Sequence, residues 1–252
     1  MRSTSAMSFQ RPKGLVVFHR SGVMDCPYLE GNREQQLFTE LSGKNSQKLF
    51  ERLSHAGFRR SHQIIYRPTC PGCDACKSVR IPVTDFKWSK SWKRVLKKND
   101  DLTIAKVGLK VSAEQYRLFN RYIRSRHGDG EMASMTERDY LNLVLASPVD
   151  SSMFEFRDSE GILKAACLAD FMTDGLSAVY SFFDPDLGAD SLGSYIILSL
   201  IQWAQQQNVS HVYLGFWVPG SPKMAYKERF KPLEVFGHHG WKRLPAEKSE
   251  IL

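Results

Sequence analysis

The chain has 252 residues, of which 42% are hydrophobic and 25% charged, the balance of a water-soluble globular protein with chain enough for one large domain or two small ones. Its longest apolar run, Ile196 to Trp203, is broken by Ser199 and Gln202 and is too short to cross a bilayer. Five cysteines, an odd number, behind an N-terminus (MRSTSAMSFQRPKG) with no apolar signal stretch, argue against a disulfide framework and for a reducing, cytoplasmic setting. The net charge is +8 and unevenly placed. Between Tyr66 and Lys98 nine Lys and Arg residues stand against Asp74 and Asp85, interleaved with Phe86, Trp88 and Trp92. Basic residues mixed with aromatics suit a phosphate backbone with stacked bases, or a helix whose aromatic face is core and whose basic face is solvated.

Residues 14–18 (GLVVF) predict a first strand. Leu49, Phe50 and Leu53 recur at helical spacing over 44–56, with Gly57 as the C-terminal stop. Residues 58–66 and 79–83 read as strands, with YRPTCPGCDACKSVR between them as a hairpin loop of an N-terminal domain. The segment 87–98 is a basic helix and 102–107 a short strand. Ser112 caps a helix to Arg126, a loop follows at His127–Gly130, and Thr136 caps another helix to Leu145. Strands are expected at 152–157, 162–172 and 176–183, joined by antiparallel turns, then a helix over 191–207, a strand at 211–214, a short helix over 223–229, and strands at 234–236 and 240–244. This order resembles a GNAT-type acyltransferase fold. The fold class expected is α+β: an N-terminal mixed domain with the cysteine loop (1–108) and a C-terminal acyltransferase domain with a mainly antiparallel sheet (109–252).

Cys70, Cys73 and Cys76 fall at C-x2-C-x2-C spacing, and Cys26 in DCPYLEG is the one upstream cysteine. Four thiolates could hold a soft metal, a zinc ion or an iron–sulfur cluster; the second clustered ligand pair of common zinc modules is missing, and the other reading is three reduced thiols shaping a turn. In YSFFDPDLGADSLGSY the turn Ser191-Leu192-Gly193-Ser194 opens a helix, so its backbone N–H groups could meet an anion or oxyanion, or Ser191 could simply cap. YLGFWVPGSPKMAYKERFKPLE reads as an aromatic-walled pocket with a basic lip suited to a carboxylate, or as a solvated capping helix. Cys167 sits in an apolar strand pattern and reads as core, and His238 and His239 as a surface pair.

Together with CPYL near the start, these motifs run in the order found in the aminoacyl-tRNA–protein transferases, and from about Gly14 to Trp241 the chain resembles them. The single cysteine in CPYL, where eukaryotic arginyltransferases carry a pair, makes it similar to the bacterial branch, the aspartate/glutamate leucyltransferases. That resemblance implies leucyl-tRNA as donor, proteins beginning with Asp or Glu as acceptors, and an N-degron mark as product, with no DNA or membrane partner, no cofactor required for the chemistry, and a monomer. Lys87, Lys90, Lys93, Arg94, Lys97 and Lys98 would then meet tRNA. Tyr66, Arg67, Arg80, Lys223, Tyr226 and Lys227 would line the acceptor site, with Arg67, Arg80, Lys223 and Lys227 as cations for the acceptor carboxylate; Tyr180, Phe216 and Trp217 would wall the leucine pocket. Arginyl-tRNA as donor, an acetyl-CoA-dependent acetyltransferase and a non-catalytic RNA-binding module are the alternatives. Against the acetyltransferase, DPDLGADSLG only approximates a Q/R-x-x-G-x-G/A loop.

Overall fold

The computed structural model describes residues 15–126 and 134–245. The expected first strand is displaced: residues 15–18 are irregular, Gly14 and the loop at His127–Gly130 lie outside the described residues, and β1 is His19–Arg20. A small hairpin, β2 (Met24–Asp25) with β3 (Arg33–Glu34), carries the CPYL motif in its turn. Strand β4 (Gln36–Glu40) follows, then α1 (Ser46–His55), β5 (Arg59–Ser61) and β6 (Ile64–Pro68). The run expected as one strand over 58–66 is therefore a tight hairpin, with His62 at φ 52° in its turn. These strands form a sheet of order β1-β4-β6-β5. Helix α1 ends as its sequence predicts: Gly57 takes φ +81°, and the Phe58 N–H closes on the Leu53 carbonyl at 2.9 Å.

After the cysteine loop the chain enters a second, eight-stranded sheet through β7 (Lys77–Pro82). The loop is thus a crossover between two sheets, and the expectation of a hairpin within one domain is corrected. Helix α2 (Lys90–Lys98) is capped by the Ser89 hydroxyl, which accepts from the Trp92 N–H at 3.3 Å. Strand β8 (Thr103–Val107), α3 (Ala113–Arg126) and α4 (Glu137–Leu145) follow, each helix opened by the serine or threonine the sequence marks. The antiparallel meander is β9 (Ser151–Arg157), β10 (Leu163–Met172) and β11 (Gly175–Phe183). Helix α5 (Leu192–Gln206), β12 (His211–Trp217), a 3-10 turn over Ala225–Arg229 and the hairpin β13 (Glu234–Gly237)–β14 (Gly240–Arg243) complete the order.

The large sheet runs β14-β13-β7-β12-β11-β10-β9-β8. Strands β7 and β8 and helix α2 come from residues before 108 yet build this sheet and its core, so a division at 108 separates no two sheets. One face packs α5 and α2 on Val79, Ile81, Cys167, Val212 and Leu214. The opposite face receives α3 and α4 over β9–β11, and the N-terminal sheet with α1 further along. Trp92 stacks on Phe230 at 4.7 Å and 11°, a pair contributing about 0.5–1.5 kcal/mol beyond its buried area. Among the described residues, no helix is long and apolar enough to cross a membrane.

A second join between the sheets gathers on Asp174, in the β10–β11 turn. His55 Nε2 at the end of α1 lies 3.0 Å from Oδ1; His211 Nδ1 (3.0 Å) and the Tyr213 hydroxyl (2.8 Å) meet Oδ2. Burial alone would raise the Asp174 carboxyl, but hydrogen bonds from His211, His55 and Tyr213 outweigh it and hold the group well below the carboxylate range. A carboxyl depressed in the folded state stabilises the fold fully above its unfolded value, 3.8, and the contribution is lost as pH falls below that. Urea unfolding of D174N against wild type should therefore show a stability gap at pH 7 that begins to close below about pH 4 and keeps shrinking as pH falls further; a gap constant from pH 7 to 3 would refute this.

Candidate active site

Strands β11 and β12 are parallel neighbours over only three pairs, Gly175↔His211, Leu176↔Val212 and Ser177↔Tyr213. Beyond them each strand carries a bulge against its other neighbour. On β11 the register passes from Ala169↔Ala178 to Leu168↔Tyr180, leaving Val179 unmatched; on β12 it passes from Tyr213↔Arg80 to Gly215↔Val79, leaving Leu214 unmatched. A bulge adds a residue, bends the strand and reverses which face the following side chains take. Two bulges at one level open a wedge in the sheet, and they turn Tyr180 and Phe216 toward the N-terminal unit.

Arg59 of β5 fills the wedge. One guanidinium nitrogen donates to the Val179 carbonyl at 2.6 Å. A Cβ at Gly215, whose φ is +71°, would stand 2.6 Å from another guanidinium nitrogen, so only glycine leaves room for it. Lys227, 3% exposed, points in from the 3-10 turn and donates through Nζ to the Phe216 carbonyl. Burial, and then Arg59, pull its ammonium well below the usual lysine range. Among the described residues no carboxylate lies within ion-pair distance of either cation.

Four tyrosines surround this pair, one from each motif singled out in the sequence. Burial, then Tyr66, push the Tyr28 phenol of CPYL up to about 12, and Arg59 opposes the rise. Tyr66, from the segment before the cysteines, is raised by burial and opposed by Arg59, and it meets Phe216 edge-on at 5.6 Å. Tyr180 is raised by burial and then by Tyr122, again against Arg59. Tyr226 is 42% exposed, yet burial raises its phenol, as for a ring lying across the mouth of a cleft; Arg59 opposes here too. From this ring a seam runs to the start of α5: Tyr122 packs on Phe183 at 4.8 Å, and a Cβ on Gly193 would meet the Phe183 ring at 3.1 Å. At that end Ser191 is left-handed (φ 55°) and makes no side-chain cap, while the Ser194 N–H already donates to the Ser191 carbonyl at 2.9 Å. Leu192 and Gly193 are the first-turn N–H groups that remain for an anion.

The other expected residues disperse. Arg80 is held by Glu234 (2.8 Å), lies 3.8 Å from Asp174 and stacks over Trp241 at 4.4 Å, so it serves the join between the sheets. Trp217 faces the main core and donates to Glu228 at 3.2 Å, on the side of β12 away from Phe216. Lys223 is exposed at the rim, and Arg67 is exposed beside Phe58. Lys87, Lys90, Lys93, Arg94, Lys97 and Lys98 are all exposed, whereas Phe86 and Trp92 are buried and Trp88 is half-buried against the core, so α2 offers a basic face. Cys167 is fully buried, and burial pushes its thiol up to about 12. His238 and His239 are exposed in the β13–β14 turn.

Cys26, Cys70, Cys73 and Cys76 are free thiols drawn into one region: burial, then Cys70, Cys26 and Cys73, push Cys76 up to about 12. Their partners differ, however. Cys70 donates toward the Gln35 carbonyl at 3.8 Å, and Cys73 accepts from Asn32 at 3.9 Å. Among the described residues no three His, Cys, Asp or Glu side chains converge as a metal-ligand set. The sulfurs as arranged do not fit a tetrahedral thiolate site, and no step of the chemistry below runs through a metal.

Arg59 and Tyr122 were not among the residues singled out from the sequence. The one signal was FRRSH, two adjacent arginines in a predicted strand, of which alternation must turn one inward.

Family models of the arginine-tRNA-protein transferases match the chain twice, the N-terminal model over residues 24–94 and the C-terminal model over 114–237. Among curated relatives, the aspartate/glutamate leucyltransferase of Paramagnetospirillum magneticum is 51% identical over 226 residues, covering 90% of this chain and 93% of that protein. Those of Granulibacter bethesdensis and Rhodospirillum rubrum are 45% and 48% identical, covering 93% and 89% of this chain and 87% and 92% of theirs. Among solved structures, a GCN5-related glucosamine N-acetyltransferase region of a fungal multi-domain beta-N-acetylglucosaminidase overlays loosely, at TM-score 0.42 and 11% identity, over 81% of this chain and 22% of that one.

Proposed function

The chain belongs to the family of arginine-tRNA-protein transferases, and from that membership we propose that it transfers leucine from leucyl-tRNA to the α-amino group of proteins beginning with Asp or Glu, marking them for degradation. The observation that carries the acceptor side of this reading is the Arg59–Lys227 pair: partly or fully buried donors without a carboxylate of their own, ringed by phenols. A partly desolvated guanidinium without a carboxylate is costly, and the side chain of an incoming Asp or Glu supplies what is missing. Arg59 offers the planar fork that suits a carboxylate.

The donor ester is already activated, so the enzyme's task is alignment and charge stabilisation. A free α-amine, of pKa about 7.7–8.0, is partly neutral near pH 7 and can attack the leucyl carbonyl. The tetrahedral oxyanion would be met by the Leu192 and Gly193 N–H groups at the positive end of α5. Collapse breaks the ester bond and releases the terminal ribose as alcohol, with the proton lost by the amine passing to that oxygen or to water. The leucine side chain would rest on Phe216 and Tyr180.

The test is a transfer assay with leucyl-tRNA and arginyl-tRNA in parallel and peptides beginning with Asp, Glu or Ala. Leucine should appear on the Asp and Glu peptides only; arginine in its place, or nothing, would sink the reading. Reversing Lys90, Lys93 and Lys97 to Glu in the same assay should raise KM for leucyl-tRNA at least tenfold and flatten its salt dependence, because each lost phosphate contact removes about 0.7–0.9 from the log–log salt slope. The acceptor KM should stay unchanged.

A further inference from the structure

We propose that the cleft between the cysteine loop and the β13–β14 hairpin binds the acceptor polypeptide just after its first residue, and that Arg67 selects acidic side chains there. The inference rests on the reading of Arg59 as the site of the acceptor's first side chain. The cleft has a volume of about 440 Å³, within the range of built ligand pockets, and its lining includes Arg67, Thr69, Cys73, Phe216, Phe236 and His238.

The placement of Phe216 indicates a peptide. Phe216 is a wall shared by both sites, since its ring lines the cleft and meets Tyr66, one of the phenols around Arg59. Consecutive peptide Cα atoms are about 3.8 Å apart, so residues two and three of an acceptor held at Arg59 can reach this wall.

Charge supplies the preference. Lys77, also at the cleft, is bound to Asp74 at 2.7 Å, and His238 acts on the same carboxylate. Arg67 packs its guanidinium 5.7 Å from the Phe58 ring and, among the described residues, has no carboxylate within ion-pair distance. It is therefore an uncompensated charge of the rim, and Phe216 and Phe236 line the same cleft. An RNA strand would ask for several such cations; the cleft has one, with Asp74 against it, which favours a single acidic side chain.

The experiment measures fluorescence anisotropy of C-terminally labelled peptides on the full chain without tRNA, comparing Asp-Glu-Glu, Asp-Ala-Ala and Asp-Lys-Lys leaders. The Glu-Glu leader should bind about tenfold tighter than the Lys-Lys leader, with acceptor KM values in transfer following the same order. R67E should invert the ranking, and the milder R67Q should flatten it should the charge reversal disturb the loop. Equal affinities in wild type, an unchanged ranking in R67Q, or a loss in R67E of leucyl-tRNA binding with the peptide ranking intact would overturn the proposal. The ranking persisting without any leucine transfer would support the cleft and count against the leucine reading alone.

Discussion

Replacing Arg59 with methionine should lower kcat/KM for Asp- and Glu-initiated acceptors by about 30-fold or more, while KM for leucyl-tRNA holds. The size follows from the chemistry of the contact. Truncating one partner of a buried, hydrogen-bonded charge pair costs about 2–5 kcal/mol, and each 1.4 kcal/mol is tenfold. R59K should fall between, because it restores the charge without the fork that holds the Val179 carbonyl and the carboxylate at once. Arg59 also has a structural share: R59M leaves that carbonyl unpaired, at about 1–3 kcal/mol. The decisive readout is thus the ratio of transfer to Asp- and Asn-initiated peptides, which a merely loosened fold would leave alone. A variant with reduced turnover and an unchanged Asp-to-Asn ratio would remove Arg59 from recognition.

The parts of this picture legible in the sequence are those set by local chemistry. Ser112 and Thr136 cap helices where their spacing says they should, and Gly57 ends α1 in the left-handed region, because capping is decided within four residues; the sequence alone starts α2 at Lys87, three residues before the helix that Ser89 caps. The apolar runs of β9–β11 and the turns between them are equally local. What could not be read depends on partners far along the chain. YRPTCPGCDACKSVR looks like a hairpin loop, since two strand patterns flank it; only the pairing of β7 with β12 and β13 shows that its ends belong to different sheets. Strand β4, in a polar stretch with little alternation, is held by β6 and not by its own pattern. Arg80 sits in a motif that suggests a substrate contact, but Glu234, 154 residues later, claims it. Arg59 is the converse case: it becomes the centre of the site because two bulges open a wedge above it; Gly215 marks the bulge of β12, but the bulge of β11 at Val179 leaves no mark in its strand's own sequence.

Arg60, the next residue, carries the second large expected effect. Alternation along β5 turns it away from the wedge and into the protein, where it is 3% exposed against an Asp170 that is fully buried. The pair is bidentate, Nε to Oδ2 at 2.5 Å and a terminal nitrogen to Oδ1 at 2.7 Å, with the Ser151 hydroxyl donating to Oδ1 at 2.6 Å. A remaining Arg60 nitrogen donates to the His62 carbonyl at 2.7 Å, tying the clamp to the β5–β6 turn. R60M should cost about 3–5 kcal/mol in urea unfolding, because it strands a buried carboxylate, whereas the double variant R60M/D170L should recover more than half of that loss. The pair fastens β5 of the N-terminal sheet to β10 of the large one, one residue from the guanidinium in the wedge. Kinetics then separate its two roles. If the clamp serves stability alone, kcat/KM of the double variant, measured well below its Tm, should match wild type. If it also aims Arg59, the acceptor KM should stay several-fold high after stability returns, since a carboxylate fork tolerates little displacement. The single variant unfolding within 1 kcal/mol of wild type would show that the two sheets are held together by other contacts.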